Sequence, residues 1–101
     1  MKSYDVVGCG YACIDFLGTL PHLPELNSKL DLGSLPIQGG GPVATALVAL
    51  SRLGAKTMFV GKLGDDDFGR QITEGLQQER VAVEVRVSNG ETSPFAFIVV
   101  T

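Results

Sequence analysis

Residues 38–53, QGGGPVATALVALSRL, constrain this chain more than any other stretch. Three adjacent glycines let the backbone adopt conformations closed to other residues, and they let a ligand approach bare main chain. Pro42 suits the first position of a helix, where its missing N–H has no partner to lose. Residues 43–53 then carry almost no polar side chain, which predicts a helix apolar nearly all round and therefore buried. A glycine loop feeding a buried helix directs free N–H groups at that loop, a place able to hold a polar or anionic ligand. A tight turn before a core helix is the plain alternative.

The 101 residues suffice for one small domain. A composition of 45% hydrophobic and 19% charged residues is that of an ordinary globular protein. A net charge of -3 with no basic patch speaks against a nucleic-acid partner. No run reaches the ~18 apolar residues of a membrane span, so no membrane partner is expected. The first ten residues read as an opening strand rather than a signal peptide. Cys9 and Cys13, with a single His in the chain, do not form a zinc set. Buried thiols in a reducing cytoplasm are expected.

Taken in order, residues 4–7 predict a short buried strand. GCGYACID follows, at residues 8–15. Its dinucleotide-binding look fails at the third glycine, which falls on Cys13, and no helix is predicted after it. Asp15 ends the apolar stretch. A carboxylate there can accept two hydroxyl hydrogen bonds, which suits a polyol, whereas a solvated turn aspartate is the plain reading. Residues 30–37, LDLGSLPI, alternate apolar and polar and predict a strand with one wet face, paired with 14–20 in a small separate sheet. Gly54 stops the helix, and 56–60 form a second buried strand, parallel to the first.

Asp65, Asp66 and Asp67 stand where a second helix starts. Capping is expected of them rather than metal binding, because no further ligand is near in sequence. Phe68, Ile72, Leu76 and Val81 form one apolar stripe. Val81, Val83, Val85 and Val87 alternate as a strand, residues 88–91 make a turn, and Pro94 opens a final strand over 94–101. Phe95 and Phe97 are expected on opposite faces of that strand. The apolar ending suggests a chain cut after its first third.

These parts resemble, in order and over the whole chain, the ribokinase-like, or PfkB, carbohydrate kinases. GYACID places an aspartate after a glycine at the first strand's end. GGGPVATALVALSRLG is similar to the family's first signature, a diglycine leading into a small-residue helix. FVGKLGDDDFG and ETSPFAFIVV resemble the next strand with its aspartate turn and the strand returning to the lid. The resemblance implies an α/β fold, a ribokinase-like three-layer sandwich (Rossmann-like) with a small β-sheet lid. Residues 1–101 would be the N-terminal part of that single domain, with lid strands near 14–20, 30–37 and 94–101.

By the same resemblance, Asp15 binds sugar hydroxyls, and Gly39 and Gly40, with Gly41 beside them, lie against the sugar. Cys13 and Ala44 fall where relatives carry sugar-contacting asparagines. Their loss removes polar groups from the pocket and shifts preference away from ribose. The family's catalytic aspartate, its anion hole and the sites for ATP and Mg²⁺ lie downstream. No catalytic or metal-binding residue is expected within these 101, and the chain alone is expected to be inactive. The implied activity of a complete protein is ATP-dependent phosphorylation of a sugar or nucleoside hydroxyl by a cytoplasmic enzyme, with the lid strands pairing two subunits. A non-catalytic binding or dimerisation module from the same fold is the alternative.

Overall fold

A computed structural model describes residues 3–101; residues 1 and 2, the start of the expected domain, lie outside it. Eight elements follow one another: β1 (Val6–Cys9), β2 (Cys13–Thr19), β3 (Ile37–Gly40), α1 (Pro42–Arg52), β4 (Thr57–Gly64), α2 (Asp67–Gln78), β5 (Val81–Ser88) and β6 (Phe95–Val100). They form two three-stranded sheets, ordered β1-β4-β5 and β3-β2-β6. The first sheet is parallel throughout, as expected where helices connect successive strands. The second is mixed: β2 runs antiparallel to β3 and parallel to β6.

Both helices cover one face of the first sheet. Phe59 and Leu63 of β4 and Val81 of β5 meet Ala44 and Leu47 of α1 and Ile72 and Leu76 of α2. Strand alternation puts the β4 and β5 members of this cluster on the same face. Ala12 and Ile14, from the entry into the second sheet, join the same core, so one apolar cluster holds both sheets. Gly8 and Gly10 permit the close approach of α1. A Cβ on Gly8 would stand 2.8 Å from Val43 Cγ1, and one on Gly10 would stand 2.6 Å from Val43 Cγ2.

Each helix has a legible start. Pro42 opens α1 after Gly41, whose φ of 97° few residues other than glycine adopt. Asp66 caps α2, accepting a 3.0 Å hydrogen bond from Gly69 N–H. Asp67 pairs with Arg70 one turn on, and Asp65 accepts from Gly90 N–H at 3.1 Å. The α2 stripe of Ile72 and Leu76 is buried, with Phe68 packed against it.

The structure corrects five expectations. Cys13 is a buried thiol but Cys9 is exposed, because Gly8 beside it faces α1 and strand alternation turns Cys9 to the other side. Helix α1 is buried along one side only: Ala44 and Leu47 are buried, whereas Thr45, Ala46 and Ala49 are exposed. Small side chains need no polarity to face water, so they hide which face is inside. The strand expected over 30–37 lies at Ile37–Gly40 instead. Residues 33–36 do run beside β2, with Leu17 N–H bonded to Pro36 O and Thr19 N–H to Ser34 O, but Pro36 has no N–H to return and the ladder is broken there. Gly39 and Gly40 consequently belong to a strand, not to a flexible loop. Lastly, Phe95 and Phe97 share a face. Phe95 lies 6.4 Å, ring to ring, from Phe16, and Phe97 lies against Gly18, two residues on from Phe16. The two-residue period of a strand requires this.

Candidate functional site

The second sheet has two unlike faces. One carries Ile14, Phe16 and Phe95, and it packs towards α2 through an aromatic cluster in which Phe68 lies 5.7 Å from Phe16 and 5.1 Å from Phe95. By alternation the other carries Cys13, Asp15, Gln38, Gly40 and Ala96. Pairing sets these side by side: Cys13 opposite Gly40, and Asp15 between Gln38 and Ala96.

Asp15 is the chemical centre of that face. Its Oδ1 accepts a 3.2 Å hydrogen bond from the Cys13 thiol. Its Oδ2 stands above Gly40, where an added Cβ would meet the carboxylate well inside van der Waals contact. Gly40 therefore makes the room the carboxylate occupies. Gly39 is different, since a Cβ there would touch nothing within 4 Å. Burial, then the hydrogen bond to Asp15 and its negative charge, push the Cys13 thiol up to about 11 from an ordinary 9.0. Cys13 is thus a neutral donor to Asp15 and not a nucleophile.

Gly41 follows β3 and turns the chain into α1. Its own Cβ would stand 2.6 Å from Tyr11 O and 2.9 Å from Ala12 Cα. The first turn of α1 is partly engaged: Ala44 N–H donates to Tyr11 O at 3.3 Å. Ala44 itself is buried in the core beside Ala12 and Ile14. Of the six candidates, then, Asp15, Cys13 and Gly40 converge, Gly39 pairs with Ile14 and has its open space on the opposite face of the sheet, and Gly41 and Ala44 shape the backbone behind the site. A groove of about 420 Å³ between α1 and α2 reaches the back of Gly39 and Gly40, with the Arg52–Glu79 ion pair at its far end.

Two neighbours of Asp15 escape sequence reasoning, Gln38 and Ala96. Their signal is strand register, which becomes visible only once β3 is placed at 37–40. Among the described residues no group of three or more His, Cys, Asp or Glu converges to hold a metal ion. Asp66 directs both carboxylate oxygens at main-chain N–H groups, Gly69 and Ser93.

The family model for pfkB family carbohydrate kinases matches residues 4–101. The chain is 35% identical over 94 residues to probable fructokinase-4 of Arabidopsis thaliana, covering 92% of this chain and 28% of that protein. It is 34% identical over 98 residues to the 5-dehydro-2-deoxygluconokinase of Clostridium perfringens, covering 95% and 28%. The Arabidopsis thaliana ribokinase solved with ribose and ATP matches 97% of this chain and 32% of its own, with a TM-score of 0.84 and 27% identity. The chain thus spans somewhat over a quarter of the length of the curated relatives it matches. With a match over nearly all of its residues and an α/β architecture of the ribokinase-like fold, this chain belongs to the pfkB family of carbohydrate kinases.

Proposed function

We propose that this chain supplies the sugar-binding part of an ATP-dependent kinase acting on a sugar or nucleoside hydroxyl. The observation that carries the reading is the Asp15 carboxylate, held over Gly40 on a face it shares with Cys13, Gln38 and Ala96. A carboxylate only accepts hydrogen bonds, so its natural partners are hydroxyl groups. One oxygen is already engaged by Cys13, and the other is available to a substrate hydroxyl. Gly40 leaves the main chain beside that carboxylate without a side chain in the way. Cys13 adds no amide to this face and Ala44 lies in the core, so the one side-chain amide beside Asp15 is that of Gln38, and the substrate preference differs from that of a site with asparagines at 13 and 44.

Phosphoryl transfer also requires an activated hydroxyl and a stabilised phosphoryl group. Asp15 orients a hydroxyl; it is not placed as the base. The three aspartates at the start of α2 do not fit Mg²⁺, because each is engaged by main-chain N–H groups or by Arg70. We therefore assign the base, ATP and Mg²⁺ to residues outside this chain. The lid role of the second sheet belongs to the same proposal.

The test is a panel of sugars and nucleosides given to the full-length protein with ATP. The expected result is phosphorylation of at least one, with Asp15→Asn lowering kcat/KM for it about ten- to hundredfold, the worth of a hydrogen bond to a charged group. A folded full-length protein that phosphorylates nothing in the panel refutes the proposal.

A further inference from the structure

The chain crosses between the two sheets at three places: 10–12, Gly41, and 89–94. The first two lie together, Gly41 against Tyr11 and Ala12. The third is built differently. Ser93, only 1% exposed, accepts a 2.9 Å hydrogen bond from Gly64 N–H through its hydroxyl. Its own N–H donates to Asp66 Oδ2 at 2.8 Å, while Oδ1 of the same carboxylate caps α2. One turn of chain therefore joins the end of β4, the start of α2 and the approach to β6. The fit leaves no slack. A Cβ on Gly64 would collide with Glu91 O, and one on Gly69 would stand 2.8 Å from Ser93 Oγ. Pro94 O then accepts from Ile14 N–H, opening the β2–β6 ladder that sets Ala96 opposite Asp15.

We infer that Asp66 and Ser93 are positioning residues for the Asp15 site: their clasp fixes where β6 leaves the helical body, and hence where β2 presents its carboxylate. The inference rests on the functional reading above for its effect on sugar, but not for its effect on the strand. A cap alone would need only Asp66 and Gly69; the buried serine and the two tightly packed glycines serve the crossing.

Two variants separate the roles. Ser93→Ala removes the bond to Gly64 and leaves the α2 cap intact. Asp66→Asn retains a good cap residue but loses one of two acceptor oxygens. Hydrogen exchange of the full-length protein without sugar is expected to speed up about tenfold across 95–100 in both variants, with α2 amides nearly unchanged in Ser93→Ala. With sugar, KM for the sugar is expected to rise about tenfold while KM for ATP is unchanged. If exchange across 95–100 is unaltered in both variants, or changes only in α2, the positioning role is overturned, even in an active kinase. A protein that binds no sugar refutes the functional reading instead and leaves the exchange result standing.

Discussion

Gly39 and Gly40 are neighbours in sequence with opposite requirements. The Asp15 carboxylate fills the space where a Gly40 side chain would go, whereas Gly39 faces open space. Gly40→Ala is expected to displace Asp15, lowering stability by about 1–3 kcal/mol and abolishing sugar binding together. Gly39→Ala, whose methyl would project from the face opposite Asp15, is expected to leave the melting temperature within a degree or two and sugar binding within about twofold. Paired thermal melts and sugar titrations check both; equal effects of the two substitutions would contradict the geometry. The thiols offer a second residue-scale test. Cys13 is buried and its thiol is raised to about 11, whereas Cys9 is exposed. Iodoacetamide at pH 8 is expected to label Cys9 first and Cys13 only on unfolding, as read by peptide mass. The linkage has a definite sign. A proton held to about 11 when folded, but only to 9.0 when unfolded, favours the fold below pH 9. That contribution falls away as pH rises from 9 to about 11.

The elements were legible where local chemistry marks their ends. Pro42 and Gly54 bound α1, Asp66 caps α2, and four alternating valines announce β5. The failures share one cause: pattern without position. LDLGSLPI alternates as a strand does, yet only pairing shows that Pro36 interrupts the ladder and that β3 begins at Ile37. The site suffered likewise. Asp15 and Gly40 can each be singled out in sequence, but their contact, and the company of Gln38 and Ala96, depends on register. An apolar run does not show which side of α1 is buried, because alanine is apolar at little cost on an exposed face. This one-sidedness is measurable. Leu47→Ala is expected to cost about 2–5 kcal/mol, as for a buried leucine, while Ala49→Lys is expected to change stability by less than about 0.5 kcal/mol. Chemical denaturation of the two variants decides it.

At the scale of the molecule, two sheets lie side by side under one core, which makes the chain long: 57 × 34 × 18 Å, with a radius of gyration of 16.0 Å. A compact chain of this length has about 13 Å. The elongation leaves apolar side chains of the second sheet in solvent, among them Phe97 at 56%, Val99 and Val100. Strand β6 is an edge of that sheet, and an apolar edge recruits another strand. We propose self-association of the chain through β6. Sedimentation is expected to show a dimer that Val99→Lys returns to monomer; an unmodified chain that stays monomeric at high concentration would refute it.

The excursion between β2 and β3 has a different consequence. Two of its leucines, Leu23 at 69% and Leu26 at 92% exposure, stand in solvent. What precedes it, residues 3–20, supplies an edge strand to one sheet and the central strand to the other. A protease cut in that excursion would therefore sever the backbone without separating the halves. The same break point makes the chain a candidate for a split reporter, in which a peptide of some twenty residues completes two sheets at once and restores, or withholds, the carboxylate at position 15.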